Sequence, residues 1–103
     1  MKKGDYTINE AYLDRVEEII NYALDNDMYV IINDHWDGSW WGMFGSSEQS
    51  DVDKAFEMYK SMWTQIANRY KKYSDRLIFE GANEELGDRL NDTERVQKLR
   101  FAF

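Results

Sequence analysis

The chain has 103 residues and a mass of 12.3 kDa, which is the size of one small domain. Hydrophobic residues make up 43% of it and aromatic residues 16%, so the chain is too apolar for a disordered segment. A net charge of −7 argues against nucleic acid and anionic membrane surfaces as partners. The absence of cysteine excludes disulfides, thiolate nucleophiles and cysteine-ligated zinc.

No membrane segment is expected from the sequence. The longest apolar run, Tyr29–Ile32, is far shorter than the roughly 20 residues of a spanning helix. The first residues do not resemble a signal peptide, because Gly4 and Asp5 follow the two lysines where an apolar stretch would be needed. A signal removed beforehand would leave the same sequence, so the compartment stays open.

The first predicted element is a helix that begins after Thr7. Thr7 and Glu10 have the spacing of a capping box, in which each side chain bonds a free backbone N–H of the first turn. Asn26 is predicted to follow the helix in the left-handed conformation. Apolar residues recur between these ends at helical spacing: Leu13, Val16, Ile19, Ile20, Ala23 and Leu24.

Two buried strands separated by a long helix are predicted next. The run over residues 28–33 is apolar and β-branched, which is typical of a parallel strand buried on both faces. A loop over 34–50 leads to a helix over about 51–73, whose apolar stripe includes Trp63, and residues 77–82 form the second strand. The order α-β-α-β predicts an α/β fold with parallel strands and a right-handed crossover.

Polar residues follow both predicted strands, and the ends of parallel neighbours meet at one edge. His35 follows the first predicted strand, and Asn83 and Glu84 follow the second. Glu84 is a candidate general acid or base, although a solvated loop acid fits its spacing as well. His35 fits either an orienting role or a structural one. It has no second histidine at ligand spacing, so no metal or cofactor is expected.

Three tryptophans lie together in the predicted loop, beside Gly38 and Gly42. Each brings a flat apolar face with a polar N–H, and such faces stack against pyranose rings. The alternative is that they fill the end of the core, which we expect for at least one of them. The three residues are Trp36, Trp40 and Trp41.

Three segments, Val30–Gly42, Trp63–Tyr70 and Leu77–Glu84, together resemble glycoside hydrolase family 5, which contains endoglucanases and mannanases on a (β/α)8 barrel. The similarity runs over residues 6–92, and residues 93–103 do not match. The resemblance implies a partial barrel: the third and fourth β/α modules with the preceding helix. We therefore expect residues 1–103 to form one partial-barrel module.

The resemblance also implies roles for the residues at the strand ends. Glu84 corresponds to the catalytic acid/base, Asn83 to the residue beside the sugar 2-hydroxyl, and His35 with Trp36 to the pair after the third strand. Trp40 and Trp41 correspond to sugar-stacking residues. The implied substrate is a β-1,4-linked glucan such as cellulose, carboxymethyl cellulose or mixed-linkage glucan.

One carboxylate is missing from this scheme. A complete barrel needs about 250 residues, and the family's nucleophile belongs to the seventh strand. Retaining hydrolysis uses two carboxyls about 5–5.5 Å apart. Glu85 stands where the family usually has proline, and it is one candidate for the second carboxyl. We expect a homo-oligomer that covers the open strand edges and brings in this group. The alternatives are carbohydrate binding without catalysis, and an inert folding fragment.

Overall fold

The computed structural model describes residues 6–35, 38–73 and 75–83. Its strands pair as a parallel two-stranded sheet, which confirms the predicted α/β class. The elements in chain order are α1 (Glu10–Asp25), β1 (Val30–His35), α2 (Gly38–Trp41), a short 3-10 helix (Gly42–Gly45), α3 (Gln49–Tyr70) and β2 (Leu77–Asn83). Within these ranges, no helix combines the length and apolarity that a bilayer crossing requires.

The described residues group into two compact units. The first unit contains residues up to 33 together with 61–81, and the second contains 34–60 together with the residues from 82 onward. The second half of α3 therefore belongs to the first unit, and its first half belongs to the second. The single module over residues 1–103 stays a prediction, and residues 93–103 lie outside the described part.

The ends of α1 differ from the sequence expectation. Asn9, not Thr7, is the N-cap residue, and its side chain accepts a hydrogen bond from the Tyr12 N–H at 3.2 Å. At the other end the left-handed residue is Asp27, with φ of 59°, one position after Asn26. The Met28 N–H then bonds the Ala23 carbonyl at 3.1 Å, which is the pattern of a Schellman motif. The Thr7 capping box and the left-handed Asn26 were thus both wrong.

The first unit has its own hydrophobic core, to which α1, α3 and the sheet contribute. The Tyr70 ring lies inside it, and its hydroxyl donates a hydrogen bond to the Leu13 carbonyl at 2.6 Å. Burial raises the pKa of Tyr70 above its ordinary value. The buried members of this core are Leu13, Ile20, Leu24, Tyr70 and Leu77.

The two strands are covered on one face only within the described residues. Burial alternates along β1, and Ile31 is 61% exposed while Val30 and Ile32 pack against the core. Asn33 donates a hydrogen bond to the Glu80 carboxylate at 3.2 Å, so these two side chains share the open face. The prediction of strands buried on both faces was therefore wrong for this chain. The alternation of side chains puts only every second apolar residue under the helices.

The end of α3 binds α1 through a charged cluster in the first unit. The Arg69 guanidinium contacts Glu10 at 2.9 Å, Asp14, and Glu17 at 3.2 Å. The Glu17 carboxylate also accepts from Lys72 at 2.9 Å and from the Tyr73 hydroxyl at 2.8 Å. These bonds, led by those from Lys72 and Tyr73, lower the pKa of Glu17 from 4.5 to about 2.

We expect Glu17→Gln to lower the free energy of unfolding near neutral pH by roughly 1–2 kcal/mol, because it weakens charged hydrogen bonds in a partly exposed site. The folded-state pKa of Glu17 lies below 4.5, so the carboxylate's contribution is present above that pH and is lost as pH falls towards 2. Urea unfolding at neutral pH and at about pH 3 should show the difference between wild type and variant shrinking on acidification.

The matched control is Glu18→Gln, which removes the neighbouring carboxylate. Glu18 is exposed and pairs only locally with Arg15, so its loss should change stability by less than about 0.5 kcal/mol. Equal losses in the two variants would contradict the assignment of the stabilising bonds to Glu17.

Candidate functional site

The two strands end together at one edge of the sheet. β1 ends at His35 and β2 at Asn83, and both residues belong to the second unit. The register follows from the Val30 N–H, which bonds the Arg76 carbonyl at 2.8 Å, because parallel strands then advance in step. The predicted meeting of the strand ends agrees with this arrangement.

The predicted site residues differ in what the structure describes of them. His35 is exposed at the end of β1, and the backbone of Asn83 forms the last position of β2. Glu84 follows Asn83 directly in the chain. Glu84, Glu85 and Trp36 lie outside the described residues, and their roles stay predictions.

Trp40 and Trp41 are buried in a cluster of aromatic rings within the second unit. Their exposed fractions are 7% and 2%, and the two rings contact each other edge-to-face with centroids 5.5 Å apart. The Tyr59 ring of α3 lies 6.2 Å from each of them. Phe44 lies 5.0 Å from Trp41 and 5.1 Å from Phe56. The expectation that at least one of these tryptophans packs into a core is confirmed for both.

The fourth tryptophan also packs as expected. Trp63 is buried in the first unit, where its ring meets Phe79 at 6.2 Å and its indole N–H donates to the Gly81 carbonyl at 3.2 Å. A buried indole N–H needs such a partner. We assign Trp63 to packing beneath β2, whereas the sugar-stacking roles of Trp40 and Trp41 stay predictions.

Sequence reasoning missed the two residues that surround these tryptophans. Phe44 lies in the predicted loop over 34–50, and Tyr59 lies in the predicted helix over 51–73. The sequence analysis does not predict the short helices α2 and Gly42–Gly45. A signal was present, because Trp40, Trp41 and Phe44 recur at helical spacing opposite the stripe Val52, Ala55 and Tyr59. The three glycines in the segment obscured it.

The described residues contain no group of three or more histidine, aspartate or glutamate side chains arranged to hold a metal ion.

The sequence profile described as Cellulase (glycosyl hydrolase family 5) matches residues 1–100. The chain belongs to glycosyl hydrolase family 5. An endoglucanase B from Clostridium cellulovorans is 49% identical over 80 residues, which are 78% of this chain and 17% of that protein. Membership in the family, which the resemblance predicted, rests on nearly the whole chain. The match extends beyond residues 6–92, so the expectation that the tail does not match is wrong for residues 93–100.

Two solved family-5 structures share the fold of this chain. The broad-specificity endoglucanase from Ruminococcus champanellensis, with bound cellotriose, has a TM-score of 0.72 and 38% identity over 85% of this chain and 25% of its own. The broad-specificity endoglucanase from Ruminococcus flavefaciens has a TM-score of 0.78 and 31% identity over 95% of this chain and 30% of its own. The chain thus spans less than a third of these relatives and corresponds to part of the family's barrel.

We expect Trp41→Ala to lower the free energy of unfolding by about 3–5 kcal/mol, because it removes a large ring from a closed cluster. Such a loss approaches the whole stability of a small domain, so Trp41→Phe is the milder variant to compare. Chemical denaturation followed by circular dichroism measures both. Lys60→Ala is the control, since the loss of this exposed side chain of α3 should cost less than about 0.5 kcal/mol. Equal effects would show that Trp41 is not a packing residue.

Proposed function

We propose that this chain supplies the acid/base part of a site that hydrolyses β-1,4-linked glucans, with Glu84 as the acid/base residue. The observation that carries the proposal is that β2, which Glu84 follows directly in the sequence, ends at the same sheet edge as β1, whose last residue is His35. Family membership supports it, since the relatives named above are endoglucanases.

The proposed chemistry assigns a role to each strand-end residue. Glu84 donates a proton to the glycosidic oxygen as the bond breaks and later accepts one from the attacking water. His35 orients the sugar or the acid/base residue from the neighbouring strand. Asn83 contacts a sugar hydroxyl, and Trp36 offers a stacking face. No cofactor takes part in these steps.

A second carboxylate is needed within about 5–5.5 Å of the first for the retaining reaction. Glu80 is the described carboxylate on β2, but it lies three residues before the strand end, about 10 Å of extended chain, and binds Asn33. We therefore assign Glu80 to strand packing. The proposal takes the second carboxylate, Glu84 or Glu85, from another copy of the chain.

The surface of the first unit supports association of this kind. Large apolar side chains of α1, of the residues before β1 and of the two strands are between 39% and 72% exposed. Apolar surface that is exposed in this way is typical of a protein–protein contact. These residues are Tyr12, Ile19, Tyr22, Met28, Tyr29, Ile31, Ile78 and Phe79.

We expect light scattering to give the wild type a mass that is a multiple of 12.3 kDa. Ile31→Lys, which places a charge on the open sheet face, should shift the mass to that of one chain while the circular dichroism spectrum is kept. Thr64→Lys is the control, because it adds the same charge to an exposed position of α3. A wild type that is a folded monomer would contradict the proposed association.

We expect the wild type to release reducing sugar from carboxymethyl cellulose and Glu84→Gln to lose at least about 100-fold of this activity, since an amide cannot exchange the proton. The two proteins are purified identically, together with Asp88→Asn as a nearby acidic control. Equal activity in wild type and Glu84→Gln would show that another group is the acid.

An inactive wild type would leave the binding alternative, which a separate measurement identifies. Glucan-dependent quenching of tryptophan fluorescence without new reducing ends would show that the chain binds the polysaccharide and does not cleave it. Loss of both signals would mean that this chain is a folding fragment only.

A further inference from the structure

The backbone hydrogen bonds of the segment between β1 and α3 are too few to keep it ordered by themselves. It consists of two consecutive helices of four residues each, Gly38–Trp41 and Gly42–Gly45, closed by a bond from the Ser46 N–H to the Met43 carbonyl at 3.2 Å. Helices of this length are unstable alone, and each glycine adds conformational entropy to the unfolded state. The order of the segment must therefore come from side-chain packing.

Phe44 makes the contacts that pack this segment against α3. It is 0% exposed, and its ring contacts Trp41 at 5.0 Å and Trp40 at 6.0 Å on the same segment. The ring also meets Phe56 of α3 at 5.1 Å with an interplanar angle of 82°, a favourable edge-to-face geometry. Phe44 thus joins both helical turns of the segment to one helix in the second unit.

We propose that Phe44 is a positioning residue that holds the segment Gly38–Gly45 in one conformation before any sugar binds. The inference deepens the proposed function and rests on it, because the segment begins three positions after His35 in the chain. A segment beside a binding site that is ordered in advance costs no ordering entropy when the glucan binds. Loosening it should therefore weaken substrate binding, and the chemical step at Glu84 should be little affected.

Hydrogen exchange of the full chain without sugar tests the ordering directly. The amides of residues 40–46 should exchange slowly in the wild type, and Phe44→Ala should speed them by at least about tenfold. Adding cellotetraose should leave the wild-type exchange of these amides unchanged within about twofold, because the segment is already ordered. Phe44→Leu, which keeps most of the apolar volume, should restore much of the protection.

Ile20→Ala is the matched control for global destabilisation. Ile20 is buried in the core of the first unit, whereas Phe44 belongs to the second unit. If exchange followed global stability alone, the two variants would speed the amides of α1 and of the segment alike. A local role predicts that Phe44→Ala acts mainly on residues 40–46.

Kinetics on carboxymethyl cellulose provide the second measurement. Phe44→Ala should raise KM by about tenfold with kcat within about twofold of the wild type, which is the result of lost binding without lost chemistry. Fast exchange in the sugar-free wild type, or protection gained only with cellotetraose, would overturn the proposal. A fall in kcat at constant KM would overturn it too. A wild type that releases no reducing ends would overturn the proposed function and the kinetic role, while the exchange data would still decide whether Phe44 orders the segment.

Discussion

Parallel pairing of β1 and β2 is the constraint on which the rest of the structure depends. Parallel neighbours cannot be joined by a tight turn, so the chain must cross over between them. The crossover helix α3 has 22 residues, a length of about 33 Å, whereas the seven residues of β2 extend about 23 Å. The helix is longer than the return requires, and its first turns carry Val52, Ala55 and Tyr59, which are buried in the second unit. One topological requirement thus supplies both the strand ends and the support for the aromatic rings.

The last turn of α3 joins the apolar and the charged parts of the first unit. Tyr70 enters the core and bonds the Leu13 carbonyl, whereas its neighbour Arg69 lies at the surface and contacts the carboxylates of α1. A guanidinium suits this position because its planar fork serves several acceptors at once. The acidic side chains of α1 therefore contribute to the net charge of −7 and also bind the end of α3 within the first unit.

The existence and order of the main elements could be read from the sequence, because the apolar spacing of α1 and α3 and the β-branched runs of the strands are strong local signals. The sequence could not show which residues pack against each helix and strand. The run Val30–Ile32 looks the same whether one face or both faces are covered, and only the structure shows Ile31 exposed. Asn9 and Thr7 are both good capping residues, and the choice between them depends on where the preceding chain turns. A cluster of tryptophans such as Trp40 and Trp41 is expected both in a sugar-stacking surface and in a hydrophobic core. The structure shows that contacts with Phe44 and Tyr59 bury both rings.

The open sheet face connects the stability of this chain to the order of its proposed site. The strands that expose Ile31 and Ile78 on that face are the ones that end at His35 and Asn83. Covering the face would stabilise these strands by removing apolar surface from water, and anything that binds only the folded form raises its population. Catalysis is sensitive to displacements of about 1 Å, so firmer support of the strand ends would favour the proposed chemistry. In the proposed assembly, association, folding and the geometry at Glu84 are therefore coupled parts of one equilibrium.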